Sequence, residues 1–139
     1  GRQDLRPGEF VEAIRVPLPS GPDTLRCYKQ SKRRDQDITA VLGCFRIELI
    51  DGKVLDARLA FGGMAGTPAR ARAADRELIG QPWTTQTIGN AQDALGHDFN
   101  PMSDHRGSAD YRMKTARNLL TRYFHDLHAN AKTDIWELA

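Results

Sequence analysis

Ile38-Thr39-Ala40-Val41-Leu42-Gly43-Cys44-Phe45-Arg46-Ile47-Glu48-Leu49-Ile50 is followed by Asp51-Gly52-Lys53 and then by Val54-Leu55-Asp56-Ala57-Arg58-Leu59-Ala60-Phe61. In an extended chain Val41, Gly43, Phe45, Ile47 and Leu49 share one side, and Leu42, Cys44, Arg46 and Glu48 share the other. That is the two-residue period of a strand. The second segment repeats the pattern, with Leu55, Ala57, Leu59 and Phe61 on its apolar side. Both segments therefore read as strands of one antiparallel hairpin. Parity sets the expected loop length. A two-residue turn at Asp51-Gly52 would set Ile47 against Asp56 and Phe45 against Arg58, core against charge. A three-residue loop pairs Leu49 with Leu55, Ile47 with Ala57 and Phe45 with Leu59. The longer loop is the expectation, because a slip of one residue turns every side chain to the opposite face.

Upstream of the hairpin, Lys29, Lys32, Arg33 and Arg34 crowd into six positions, and Asp35 and Asp37 follow at once. A short strand over residues 25–30 delivers Tyr28 and Lys29 to the start of this cluster. Two readings stand side by side. Blocks of charge mostly form solvated loops, but a basic loop held between two strands can also face an anion such as phosphate, a flavin or a nucleotide. Farther back, Pro17, Pro19 and Pro22 prevent a ladder. Residues 10–16 alternate, with Phe10, Ile14 and Val16 on one side, and are expected to form a strand. Arg6-Pro7-Gly8-Glu9 reads as a turn.

Downstream of the hairpin, Gly62-Gly63-Met64-Ala65-Gly66 lacks both the G-x-G-x-x-G spacing and the G-K-[ST] ending of phosphate loops, so a tight strand-to-helix passage is the plainer reading. Thr67 as cap and Pro68 at the first helical position predict a helix to about residue 79, burying Ala71, Ala74 and Leu78 and closed by Gly80. Thr84 or Thr85 opens a second helix carrying Ile88, Ala91 and Leu95. Residues 96–107 read as a polar connection. Ser108 caps the longest helix, to about residue 129, with Met113, Ala116, Leu120, Tyr123, Phe124 and Leu127 at three-four spacing. Residues 134–138 are an edge strand or a tail. Strands first and helices after predict an α+β fold, an antiparallel sheet of about three to four strands covered on one face by about three helices.

A chain of 139 residues makes a single domain, 1–139, with one core. Its start, without Met, reads as that of a domain within a longer protein. The 20 cations nearly balance the 18 acids, which speaks against a general nucleic-acid binder and makes the basic character local. No apolar run nears the roughly 20 residues of a membrane span, and no signal peptide opens the chain. Cys27 and Cys44 make neither a C-x-x-C motif nor a disulfide framework, so a reducing, cytoplasmic setting is expected.

The residues offer no catalytic constellation and no metal site. His125 and His128 sit on the polar face of the last helix, and His97 and His105 flank a loop without four converging ligands. Neither Ser31 nor Ser103 has a base implied by spacing. Cys27 reads as a half-buried strand cysteine rather than a nucleophile. Asp35 and Asp37 are better explained as partners of Arg33 or Arg34, or of backbone N–H groups ahead of Ile38, than as a catalytic acid or base.

Several short motifs occur in one ordered series: Arg6-Pro7-Gly8-Glu9; Tyr28-Lys29-Gln30 through Lys32-Arg33-Arg34 to Asp37-Ile38; Ala60-Phe61-Gly62-Gly63-Met64-Ala65 with Thr67-Pro68-Ala69-Arg70-Ala71; Ser103-Asp104-His105-Arg106; and Ser108-Ala109-Asp110-Tyr111-Arg112. Each is weak alone, but their order is specific. Over residues 5–124 the chain resembles the C-terminal domain of molybdenum-hydroxylase flavoproteins, as found in the small FAD and iron–sulfur subunit of bacterial xanthine dehydrogenases. The resemblance implies that FAD lies between a larger FAD-binding domain of the same subunit and this domain. It also implies that electrons from purine hydroxylation at the molybdenum cofactor of a large subunit pass through two [2Fe–2S] clusters to the flavin and on to NAD. The family's flavin-contacting lysine falls on Lys29 and an apolar flavin contact on Val11. The loop carrying Gln30, Arg33, Arg34 and Asp37 would lie at the flavin edge or at a domain interface.

A lysine beside a flavin can stabilise the anionic reduced ring. Arg33 and Arg34 can steer an anionic dinucleotide or pair with a neighbouring domain. The chain carries no cysteine series for an iron–sulfur cluster and no glycine-rich pyrophosphate loop, so it is expected to be inactive alone. Other readings remain: the same domain in a sister hydroxylase acting on carbon monoxide, an aldehyde or an aromatic compound; a stand-alone anion or nucleic-acid binding module; or a pure interaction domain.

Overall fold

The computed structural model describes residues 4–16, 18, 24–33 and 35–129. Along the chain these form β1 (Arg26–Gln30), β2 (Val41–Ile50), β3 (Lys53–Gly62), β4 (Ala69–Arg70), α1 (Arg72–Leu78), α2 (Thr85–Asp98) and α3 (Ala109–His128). The strands make one antiparallel sheet in sequential order. The helices lie on a single face of it: α3 crosses β1 and β2, α1 rests against β3, and α2 packs on α1 and α3. This is the α+β arrangement expected from the sequence. Phe45, Ile47, Leu59 and Phe61 point from the hairpin into the core, where they meet Leu78, Leu95, Leu120 and Tyr123, all essentially without solvent contact. Each such side chain contributes about 1.5–3 kcal/mol by leaving water. No helix among the described residues is long and apolar enough to cross a membrane.

The hairpin keeps the expected pairs but reaches them by another route. Phe45 faces Leu59 and Ile47 faces Ala57, yet Leu49 faces Val54 rather than Leu55, and Ile50 faces Lys53. The loop is the two-residue turn Asp51-Gly52, with φ of 50° and 73°, the mirror-image geometry that matches strand twist. A bulge beside Glu48 and Leu49 restores parity. Leu55 is the extra residue and faces solvent, while Val54 takes the buried position.

Residues 10–16 do not form a strand. Phe10, Val11, Ile14 and Val16 are 65–81% exposed, and the segment's described hydrogen bonds belong to the Arg6–Glu9 turn, where Gly8 has a φ of 87°. Alternation supplies one half of a strand. The other half is pairing with an edge, and residues 10–16 are paired with none of the described strands.

The Thr67-Pro68 helix start is also replaced. Ala69 and Arg70 pair with Phe61 and Ala60 as β4, and the Ala71 amide donates to the Leu59 carbonyl at 2.8 Å. Helix α1 therefore begins later. It is capped not by a local side chain but by the Asp98 carboxylate, which accepts from the Ala73 and Ala74 amides at 2.9–3.0 Å. Gly80 closes α1 as expected, with a φ of 81°. The buried Asp75 of α1 accepts from the Leu59 amide and from Arg70, locking helix to sheet. Thr84 and Ser108 cap α2 and α3. Helix α2 runs through Gly96 to Asp98, and the connection after it is not simply polar, since Phe99 is buried with its ring 5.5 Å from that of Phe61. Residues 134–138 lie outside the described residues.

Candidate functional site

Lys29 and Gln30 end β1, and the chain then makes the loop to Ala40, whose amide returns to the Gln30 carbonyl at 2.9 Å. The loop is built by its own polar groups. Lys29 Nζ donates to the Asp37 carbonyl at 2.9 Å. The Asp37 carboxylate accepts from the Arg33 amide at 2.8 Å, and that backbone bond holds the acid below its usual range. Ser31 Oγ donates to the Arg33 carbonyl, and the Arg33 guanidinium reaches the Gln36 carbonyl. Gln36 takes a φ of 51° at the tightest point of the bend. Asp37 is thus a loop brace, as its place ahead of Ile38 suggests. Lys29, Gln30 and Arg33 remain exposed around it. Arg34 lies outside the described residues.

Two further segments converge on this loop. Lys32 Nζ donates to the His105 carbonyl at 2.6 Å. A cleft of about 260 Å³ opens between the segments, lined by Lys32, Arg33, Gln36, Asp37, His105 and Arg106, among others. Three cations against one carboxylate give it the polarity of an anion site. Beneath it Arg112, buried in the first turns of α3, donates from one guanidinium nitrogen to the carbonyls of Ala40 and Gly63. Its other terminal nitrogen donates to Asp104 Oδ1 at 2.7 Å. One side chain therefore ties together the end of the basic loop, the Gly-Gly-Met-Ala turn and the 103–107 loop. Gly63 is required at that junction: its φ is 78°, and a Cβ there would lie 2.2 Å from the Ala40 carbonyl oxygen.

Asp104 is anchored from several sides. The Arg112 guanidinium, with the amides of Arg106 and Gly107, draws its carboxyl down to about 2. A folded-state pKa below the unfolded value gives stability that is complete above about 3.9 and is lost as pH falls toward 2. Acid titration of stability is expected to fall across that window, and Asp104→Asn to flatten that part of the curve. An unchanged profile in the variant would show that the carboxylate does not hold the clamp.

The sequence pointed to Lys29, Gln30, Arg33 and Asp37, which the structure brings together. Val11 sits apart in the exposed N-terminal segment, 65% exposed. His105, Arg106 and Arg112 were part of a quoted motif without a role. The available signal was Arg112 itself, a charge placed four residues before Ala116 on the apolar stripe of α3. Cys27 is exposed rather than half-buried, and Cys44 opposite it is the half-buried one. His125 and His128 are exposed and rest against the Phe124 ring.

Residues 26–127 match the family described as the CO dehydrogenase flavoprotein C-terminal domain. The chain is 36% identical over 127 residues to a xanthine dehydrogenase of Emericella nidulans, covering 88% of this chain and 9% of that protein. It is 35% identical over 127 residues to a nicotinate hydroxylase of the same organism, covering 86% and 9%. Among solved structures it resembles carbon monoxide dehydrogenase from Hydrogenophaga pseudoflava with a TM-score of 0.71 at 26% identity, covering 83% of this chain and 40% of that one. It thus corresponds to a minor part of each of these proteins.

Proposed function

The chain belongs to the CO dehydrogenase flavoprotein C-terminal domain family, and from that premise we propose that it covers one side of an FAD held mainly by a neighbouring domain of the same subunit, in an enzyme of xanthine dehydrogenase type. The observation that carries this reading is the placement of Lys29. Its ammonium is exposed and donates to the carbonyl of Asp37, a residue that lines the cationic cleft. Among the described residues that is its one hydrogen bond, and an ammonium has three donors.

The chain's residues suit part of a flavin site. The cleft, at about 260 Å³, is smaller than the roughly 300–1,000 Å³ that encloses a drug-sized ligand, so this domain offers a wall and not a container. Lys29 would present positive charge at the ring edge, where bound FAD supplies the electron-accepting chemistry. Lys32 and Arg106 would attract the phosphates of an arriving NAD, and Arg33 and Arg34 would pair with acids of the adjoining domain. Val11 would meet the flavin once the N-terminal segment is covered by that domain. Two cysteines fall short of the four ligands of even one [2Fe–2S] cluster, so those clusters would belong to other parts of the enzyme, as would the molybdenum cofactor in this reading. The domain alone would be inactive.

A second reading keeps the same domain but changes the substrate, since the nicotinate hydroxylase and the xanthine dehydrogenase are almost equally similar. A nucleic-acid binding module is less well supported, because Tyr28, the aromatic residue within the basic stretch, is buried under α3 and offers no stacking platform. The test is to express the complete subunit with its partners, record the visible spectrum, and assay xanthine-dependent NAD reduction. Lys29→Ala is expected to lower that rate about tenfold, the effect of losing about 1.4 kcal/mol of transition-state stabilisation. Flavin absorbance without xanthine turnover would move the assignment to a sister hydroxylase. A subunit without flavin would overturn the reading.

A further inference from the structure

The sheet face opposite the helices carries a feature that a covering role does not use. Cys27 and Cys44 stand directly opposite each other on the β1–β2 ladder. Their flanking residues Tyr28, Gly43 and Phe45 are buried on the helix side, so both cysteines project from the uncovered side. Directly opposed residues of an antiparallel pair have Cα atoms about 4.5–5.5 Å apart, which lies inside the window of about 4.4–6.8 Å that a disulfide spans. The two thiols are free. Their exposures differ: Cys27 meets solvent, and Cys44 is half-buried. Burial, with the neighbouring Cys27, pushes the Cys44 thiol up to about 11. The exposed sulfur is therefore the one that a small reagent reaches first.

We propose that Cys27 and Cys44 form a reversible cross-strand disulfide site, oxidised by exchange with a low-molecular-weight disulfide. The Cys27 thiolate attacks one sulfur of the reagent, giving a mixed disulfide and releasing one thiolate, which takes up a proton. The Cys44 thiol then gives its proton to solvent as its sulfur displaces the second reagent thiolate. Two protein thiols are oxidised to one disulfide, and the reagent disulfide is reduced to two thiols. The bond closes a ring around the whole basic loop and fastens β1, an edge strand, to β2 at the ladder position separated from the Lys29–Leu42 pair by Tyr28–Gly43. Oxidation thus fixes the strand that carries Lys29. The inference rests on ladder geometry and holds whether or not the domain faces a flavin.

The experiment equilibrates the full-length protein, in its native assembly, with glutathione buffers of increasing oxidised fraction. The samples are quenched in acid, alkylated and digested with trypsin. Cleavage after Arg26, Lys29, Arg34 and Arg46 releases peptides 27–29 and 35–46, each with one cysteine. The expected result is a joined pair, lighter by two hydrogens than the sum of the free peptides. It becomes the main form as the buffer turns oxidising, disappears with dithiothreitol, and is absent from Cys27→Ser and Cys44→Ser. Recovery of only separately alkylated or separately glutathionylated peptides at the most oxidising ratio would overturn the proposal. So would a native assembly in which both thiols resist alkylation and oxidation alike.

Discussion

Arg112→Ala is expected to lower the stability of the fold by about 3 kcal/mol or more, since the two carbonyls it satisfies lose their donor at about 1–3 kcal/mol each. The size follows from what the guanidinium satisfies. It is 4% exposed at the side chain, it pairs with Asp104, and it donates to the carbonyls of Ala40 and Gly63. Alanine leaves the carboxylate without its cation and two inward carbonyls without a donor, with a cavity in place of the side chain. Arg112→Lys keeps the charge but loses the fork that reaches both sides at once, and should recover only part of the loss. The measurement is urea unfolding of the wild type, both variants, Asp104→Asn and the Arg112→Ala/Asp104→Asn double variant. The double variant should be less destabilised than the sum of the singles, because the acid no longer needs its partner. A loss for Arg112→Ala below about 1 kcal/mol, the level of an exposed pair, would show that three loops are held by something other than this clamp. The same loss should loosen the basic loop, seen as faster hydrogen exchange at the Ala40 amide.

Phe45→Ala is expected to cost about 3–5 kcal/mol, the usual range for emptying a buried aromatic position. Phe45 lies in the central strand without solvent contact. Its ring centroid is 5.1 Å from that of Phe61, 5.5 Å from Tyr123 and 6.0 Å from Tyr28. The ring also folds back over Gly43, where a Cβ would stand 2.4 Å from its Cζ. A glycine in mid-strand usually weakens it; here it makes the room that the ring occupies. Gly43→Ala should therefore destabilise the wild-type background and do so less in the Phe45→Ala background. Thermal or urea unfolding of the four proteins measures that coupling. Additive losses would mean that the ring has space elsewhere and that Gly43 has another purpose.

These two sites mark the limits of a reading from sequence. Strand alternation over residues 41–50 and the three-four stripe over residues 113–127 were both legible, because each side chain's neighbours on a strand or helix are fixed by local geometry. The core pairs Phe45–Leu59 and Ile47–Ala57 followed from that alone. The turn between them did not, because a two-residue turn with a bulge and a three-residue loop satisfy the same parity. Choosing between them depended on whether Val54 or Leu55 had room beneath the helices. Residues 10–16 show the converse case: alternation was present, but a strand also needs pairing, and this segment pairs with none of the described strands.

The candidate site divides in the same way. The sequence by itself determined the basic loop, the bracing role of Asp37 and the position of Lys29 at the end of a strand, because these depend on contacts within a few residues. Only the tertiary structure decided that Arg112, His105 and Arg106 belong beside that loop, that Asp98 caps α1, and that Cys27 faces Cys44. Those contacts join residues from 17 to 73 positions apart. Local propensity carries no information about such separations; strand pairing, the packing of α2 on α1 and the packing of α3 against the sheet bring the groups together.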